Sequence, residues 1–313
     1  MRVLMIRPSA FGPNPETAGT NTFQGNAPGT AKQIQSRALA EFDQFVDQLR
    51  EVGVEVYVFG DNEDPATPDA IFPNNWFSSH SDGTVVLYPM HSESRRRERR
   101  PDLFDSLVED HRFFISRFID FTDGESAGYF LEGTGSLVLD HLNRIAFAAL
   151  SDRTSLQILD RFSGALDFEM QTFHAEDRGI PIYHTNVIMA LGKSFAILAE
   201  ETIVNEEERQ QLRERLVTGG RTVISITRDQ CRKFAGNVLE LANDRGESII
   251  VFSETAWGAL EPATQNAISE HGQVLTANIP TIEQVGGGGV RCMIAELFLP
   301  RIGEEISSAS DLT

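Results

Sequence analysis

The sequence predicts an α/β protein in which one small strand–helix–strand unit recurs about five times. Three observations lead there. The first sixty or so residues contain an apolar run, Val3 to Ile6, closed by Pro8. A helical apolar pattern follows between Thr30 and Val52, and then an alternating stretch, Val54 to Phe59. The same grammar returns along the rest of the chain, usually with two short strands ahead of each helix. Finally, no change of composition marks a linker. Such repetition builds either a solenoid or a closed ring, and the absence of a break favours one domain, residues 1–313, closed on itself.

The first helix is read from Ile34, Ala38, Leu39, Phe42, Phe45, Val46 and Leu49 at helical spacing, with Gly53 ending it. Between the first strand and this helix, residues 8–29 are rich in Gly, Pro, Asn and Thr. A loop of that length in a compact domain is usually functional, here as a cover over a site. Val85 to Tyr88 then reads as a strand, followed by a helix near 101–115 and a strand around Phe118. Leu137–Leu139 and Ile145–Ala148 form a strand pair before a helix from Thr154 to Phe162. Asn186–Leu191 and Ser194–Leu198 form the next pair, before a helix at Glu206–Val217. Val238–Leu241 and Ser248–Phe252 form the last, before a helix around Ala263–Glu270.

Composition narrows the function. A chain of 313 residues with 41% apolar and 23% charged content is globular. Its net charge of −19 excludes nucleic acid and anionic membrane as partners, since both need a basic footprint. The run Arg95-Arg96-Arg97-Glu98-Arg99-Arg100 therefore reads as a solvated helix start, with one arginine free to face a site. No apolar run reaches the ~18 residues of a membrane span, and Met1 to Pro8 is too short and too charged for a signal peptide. Two distant cysteines, Cys231 and Cys292, make neither a disulfide framework nor a zinc site. The expected compartment is cytoplasmic. The histidines lack metal-ligand spacing and no phosphate-binding loop is present, so neither metal nor cofactor is expected. Self-association as a homo-oligomer is compatible with the sequence.

One stretch carries chemistry. Gly286-Gly287-Gly288-Gly289 suits backbone that bends sharply close to something small. Cys292 leaves that loop beside Arg291, and a neighbouring positive charge, or a helix starting there, favours the nucleophilic thiolate. Free cysteines are mostly core filler; Cys231 is read that way, whereas the glycine loop singles out Cys292. A thiolate can attack the carbon of a guanidine or a urea, but nitrogen leaves only when protonated, so an acid/base must stand nearby. His184, at a strand end, is the candidate. Glu132, before Gly133, is the candidate carboxylate to hold the imidazole or bind substrate nitrogen.

Four runs in order, Pro73-Asn74-Asn75-Trp76-Phe77, Leu131-Glu132-Gly133, His184-Thr185-Asn186 and Val290-Arg291-Cys292, resemble the pentein superfamily of deiminases, dimethylarginine hydrolases and amidinotransferases. Pro73 to His80, Phe234 to Leu241 and Gly286 to Cys292 are most similar to its citrulline-utilisation hydrolases. The resemblance implies a five-bladed α/β propeller of ββαβ units with pseudo-fivefold symmetry and a polar site in the central channel. It also implies Cys292 as nucleophile, His184 as acid/base and Glu132 as supporting carboxylate. Ser151-Asp152-Arg153-Thr154 resembles the arginine deiminases' Ser-Glu-Arg-Thr run, which makes Arg153 a clamp on a substrate α-carboxylate and Asn74 a second donor to it. Phe77 is a further substrate-binding candidate, and Arg291 either binds substrate or lowers the Cys292 pKa.

The chain departs from the deiminase pattern twice. His80 and Asn186 stand where arginine deiminases carry aspartates that grip a cationic guanidinium. A ureido group is neutral and offers an oxygen acceptor, which His80 and Asn186 can meet as donors. The expected reaction is hydrolysis of citrulline, or a related ureido amino acid, to ornithine, ammonia and carbon dioxide through a covalent Cys292 intermediate. The alternatives are a guanidino-group enzyme, either an arginine or agmatine deiminase or an amidinotransferase, and a non-catalytic pentein that only binds. Replacement Cys292→Ala should abolish turnover with the fold intact, while Cys231→Ala should leave it nearly unchanged. An inactive Cys231 variant would displace the glycine-loop assignment.

Overall fold

Five three-stranded sheets account for most of the strands in the computed structural model, which describes residues 1–62 and 64–304. Each sheet has the same order, an antiparallel pair followed by a parallel pair. One consists of Phe77–Ser79, Thr84–Leu87 and Arg117–Asp120. A second consists of Val138–Asp140, Ile145–Ala149 and Glu169–Phe173. The next two are Met189–Leu191 with Phe195–Leu198 and Thr222–Ser225, and Leu239–Ala242 with Ser248–Ser253 and Gln273–Ala277. A parallel pair cannot be joined by a tight turn. A helix therefore crosses over in each: Pro101–Glu109, Leu156–Leu166, Glu206–Thr218 and Pro262–Ser269.

The fifth sheet joins the two ends of the described chain. Arg2–Arg7 runs parallel to Glu55–Gly60 across the helix Ala31–Glu51, and its other edge pairs antiparallel with Ala295–Glu296, through Val3↔Glu296 and Leu4↔Ala295. Thr30 caps the helix, its side chain accepting from the Gln33 amide while Gln33 reaches back to the Thr30 amide, a reciprocal capping box. Phe42, Phe45 and Leu49 lie on the buried face with no exposure. They belong to an apolar cluster with Val3, Met5, Ile282, Val285, Val290 and Cys292 itself. The Cys292 turn thus rests on the same core as the first helix.

Three expectations shift. The helix near 101–115 stops at Glu109, because Arg112 takes a left-handed φ of 62° and sends Phe113 into the core. Asn186–Leu191 is not one strand. Residues Thr185–Val187 form a 3-10 turn and only Met189–Leu191 is extended. The helix Pro280–Gly286, absent from the sequence reading, runs directly into the glycine loop, with Gly287 in the left-handed conformation as its C-cap. No helix among the described residues is long and apolar enough to cross a membrane. Phe45→Ala should destabilise the protein by about 3–5 kcal/mol, measured as a shift of the urea midpoint at constant m-value. A loss under 1 kcal/mol would show that this helix does not anchor the core.

Candidate active site

The four glycines place backbone where no side chain fits. A Cβ at Gly286 or Gly288 would stand 2.7 or 2.9 Å from the Phe72 ring, one at Gly287 would stand 2.6 Å from Asn21, and one at Gly289 would stand 2.7 Å from Asn237 Oδ1. The loop then turns through Gly289 to Cys292, whose amide donates to the Gly289 carbonyl at 3.1 Å. No helix starts at Cys292. Its thiol lies within reach of two amides: Asn237 Nδ2 at 3.2 Å and Asn186 Nδ2 at 3.7 Å. Burial pushes the thiol above its usual range, and the Asn237 hydrogen bond and the Arg291 charge only partly oppose this.

Two further glycines bring the other side chains in. Gly133 has a φ of 46°, and a Cβ there would meet the Asn74 carbonyl at 2.3 Å. One at Gly135 would meet Asn75 Nδ2 at 2.4 Å and His184 Nδ1 at 2.7 Å. Glu132, just before them, is completely buried. His184 Nε2 donates to Glu132 Oε2 at 2.8 Å, and the His91 amide donates to Glu132 Oε1 at 3.0 Å. Arg153 and Arg95 stand 3.4 and 3.9 Å from the same carboxylate. Burial alone would raise the Glu132 pKa. The Arg153 charge, the His184 hydrogen bond and Arg95 outweigh it and hold the group well below the usual carboxylate range. For His184, burial prevails over Glu132 and lowers the pKa to about 4. Because the carboxylate can only accept, the imidazole carries its proton on Nε2, leaving the Nδ1 lone pair available.

Cys292 and His184 share a cavity of about 280 Å³ with Asp69, Phe72, Asn75, Arg95, Arg153, Tyr183 and the glycine loop. The segment 8–29 covers it. Thr17 and Asn21 line the cavity, Asn14 Nδ2 donates to Asp69 Oδ2 at 2.8 Å, and Arg153 Nη2 donates to Thr20 Oγ1 at 2.5 Å. Arg153 also stacks over Tyr183, whose hydroxyl donates to the Gly287 carbonyl at 3.0 Å. Three buried polar atoms on the lining residues have no hydrogen-bond partner: Asp69 Oδ1, Asn75 Nδ2 and Arg153 Nε. Burial raises the Asp69 pKa against the pull of Arg95 and Asn14.

The structure thus brings Cys292, His184, Glu132, Arg153 and Asn186 together. Four expected residues lie elsewhere. His80 is buried with its Nε2 on Ser78 Oγ at 3.1 Å, packed near His141 and Phe168, and burial lowers its pKa to about 3. It lies outside the cavity because the strand Phe77–Ser79 carries it away. Phe77 and Arg291 line a different cavity of about 600 Å³, with Thr134, His141 and Glu296. The Arg291 guanidinium is taken up by Glu296 at 2.9 Å and the Ile294 carbonyl at 3.1 Å. Asn74 is buried but does not line the cavity; its neighbour Asn75 does.

Sequence reading missed Asp69, Asn75 and Asn237 and left the arginine run undivided. Within that run Arg95 is 3% exposed, paired with Glu98 at 2.9 Å and donating to Asn75 Oδ1 at 2.7 Å. The available signal was position: Asp69 lies just before the Pro73–Phe77 run, Asn75 lies inside it, and Asn237 lies inside the Phe234–Leu241 run. Among the described residues no cluster of three or more His, Cys, Asp or Glu side chains could hold a metal.

Residues 7–299 match the family model described as N,N dimethylarginine dimethylhydrolase, eukaryotic. No curated protein matches the chain in sequence. Among solved structures it resembles apo ArgZ, an arginine dihydrolase from the ornithine-ammonia cycle in cyanobacteria, with a TM-score of 0.74 and 17% identity. The match covers 96% of this chain but 41% of ArgZ, so the chain spans less than half of that protein. The N-terminal domain of ArgZ bound to product gives a TM-score of 0.72 at 19% identity, covering 96% of this chain and 99% of that domain. A dimethylarginine dimethylaminohydrolase variant, as its adduct with S-methyl-L-thiocitrulline, gives a TM-score of 0.63 at 14% identity, covering 94% and 98%. At these identities the structural likeness is one of fold.

The protonation states set the pH response. His184 accepts a proton only as pH falls towards about 4, so any step that needs its free Nδ1 is lost on the acid side. The profile of kcat/KM should therefore have its acid limb near 4 rather than at the ~6.5 of a free imidazole. Stability follows the same sign. Between ~6.5 and about 4 the unfolded chain binds a proton that buried His184 does not, so stability falls as pH falls through that window. An acid limb at 6–7 would show that the imidazole titrates as an exposed one.

Proposed function

The chain belongs to the N,N-dimethylarginine dimethylhydrolase family, within the pentein superfamily, and from that premise we propose a cysteine hydrolase acting on the ureido carbon of citrulline or a related amino acid. One observation carries the substrate choice. Asn75 Oδ1 accepts from Arg95 Nη1, and arginine can only donate, so the orientation of the amide is determined and its unpartnered Nδ2 is a donor. A donor beside His184 calls for a substrate acceptor. A ureido oxygen is one; a guanidinium has none. The amides Asn186 and Asn237 against the sulfur support the same reading, since both side chains are neutral.

In this scheme Cys292 attacks the ureido carbon as its proton passes to His184 Nδ1, and Glu132 holds the resulting imidazolium. His184 then gives that proton to the departing nitrogen as the C–N bond breaks, leaving a thiocarbamoyl group on sulfur. Water, deprotonated by His184, breaks the S–C bond, returns the electron pair to sulfur and releases a carbamic acid, whose remaining C–N bond breaks as its hydroxyl proton passes to nitrogen and carbon dioxide leaves. Citrulline and water become ornithine, ammonia and carbon dioxide. The unpaired Asp69 Oδ1 suits the α-ammonium, and Arg153 Nε and Arg95 the α-carboxylate. The five like-ordered sheets support a five-bladed ring of ββαβ units around this cavity, with residues 1–313 as one domain.

A second reading, hydrolysis of a guanidino group, is favoured by the family match and by Asp69, a carboxylate within the cavity. The two are separated by assaying citrulline, arginine and dimethylarginine for amine and ammonia release. Leaving one buried donor unpaired costs about 1–3 kcal/mol, so citrulline should be preferred roughly tenfold or more in kcat/KM. Asn75→Asp should depress citrulline turnover and shift binding towards arginine, whereas His80→Asp should lower stability without reversing the preference. Unmodified protein that prefers arginine or dimethylarginine would discard the ureido reading and retain the guanidino one.

A further inference from the structure

Every hydrogen-bonding group of the Asn237 amide that faces the glycine loop has an assigned partner. Oδ1 accepts from the Arg291 amide at 3.1 Å. Nδ2 donates to the Asn186 carbonyl at 3.0 Å and to Cys292 Sγ at 3.2 Å. A backbone N–H can only donate and a backbone carbonyl can only accept, so the amide cannot be turned over. Both hydrogens are placed, and one of them points at sulfur. Asn186 makes no such fixed contact, since its Nδ2 and Oδ1 lie 3.7 and 4.0 Å from the same sulfur.

The chain around Asn237 is shaped to deliver it. Phe234 adopts a left-handed φ of 63°, and a Cβ on Gly236 would stand 2.4 Å from the Val187 carbonyl. Gly289, on the other side, leaves just the space that Asn237 Oδ1 occupies. These backbone demands account for the Phe234-Ala235-Gly236-Asn237 run, which the scheme above does not use.

We infer that Asn237 is a catalytic residue: a fixed N–H donor that stabilises negative charge on the Cys292 sulfur. It acts twice, when the thiol proton leaves for His184 as the S–C bond forms, and when that bond breaks and the electron pair returns to sulfur. The inference rests on Cys292 being the nucleophile. A donor held in place in a dry site needs no reorganisation as charge develops, which is what makes such groups effective. The environment otherwise opposes the thiolate, since burial raises the thiol pKa and Asn237 is the strongest of the groups that lower it.

The test is the rate of iodoacetamide labelling of Cys292 between pH 7 and 10, read by peptide mass spectrometry, in unmodified protein, Asn237→Asp and Asn237→Ala. Asn237→Asp keeps the acceptor for the Arg291 amide and replaces the donor at sulfur with a carboxylate oxygen. Labelling should slow roughly tenfold or more in both variants, most in Asn237→Asp, with the profile displaced to higher pH. Citrulline kcat should fall roughly 10- to 100-fold with KM within about twofold. A purely structural residue would leave the labelling profile where it is. Unchanged labelling, an effect on KM alone, or failure of both variants to fold by circular dichroism would overturn the inference. Turnover by Cys292→Ala would instead remove the nucleophile assignment, while the labelling result would still report on Asn237.

Discussion

A carboxylate with no solvent exposure, Glu132, lies between one imidazole and two guanidinium groups, and the rest of the cavity is arranged around keeping it charged. Burying an isolated ion costs several kcal/mol, and removing one partner of a buried pair typically costs 3–5 kcal/mol. His184, Arg153, Arg95 and the His91 amide together make that burial tolerable. Each partner is thereby held in place. His184 has its tautomer assigned, Arg153 is pinned over Tyr183, and Arg95 is drawn inward with Glu98 from a run whose other arginines are partly or fully exposed. Glu98 and Asp69 complete the balance around Arg95, at 2.9 and 3.9 Å.

Such a cluster needs backbone from distant parts of the chain to approach more closely than side chains permit. Glycine supplies the space at each crossing. Gly133 admits the Asn74 carbonyl, Gly135 admits His184 and Asn75, and the Gly286–Gly289 loop admits Phe72, Asn21 and Asn237. The entropic cost of these glycines is offset by an anchored framework. The helix Pro280–Gly286 packs in the same core as Ala31–Glu51, and the strand Ala295–Glu296 pairs with Arg2–Arg7 just beyond the Cys292 turn. A turn tethered on both sides keeps its geometry without secondary structure of its own.

The segment 8–29 shows how composition foretells placement without geometry. Its length and Gly/Pro/Asn/Thr content signalled a cover, and it lies over the cavity through Asn14, Thr17, Thr20 and Asn21. Asn14 and Thr17 donate to Asp69, Thr20 accepts from Arg153, and Asn21 donates to the Gly286 and Gly287 carbonyls. None of these contacts could be read from the loop's own sequence.

By itself the sequence determined the repeating α/β units, the helical faces, the long cover and a cysteine led by glycines. These depend on local periodicity and backbone freedom, which a single stretch of chain encodes. It also singled out His184 and Glu132, because residues at strand ends and before glycines stand at the mouths of repeated units. Only the tertiary structure decided which neighbour of a pair turns inward: Asn75 rather than Asn74, Arg95 rather than the rest of its run, and Asn237 from a stretch read only as likeness. It also removed His80, Phe77 and Arg291 from the cavity. Asn74 and Asn75 share a 3-10 turn and Arg95 sits in a short helix, where successive side chains leave the axis in different directions, so a motif can bring the right stretch to a site without revealing which of its residues faces it. That choice is made by packing between sheets that are far apart in sequence.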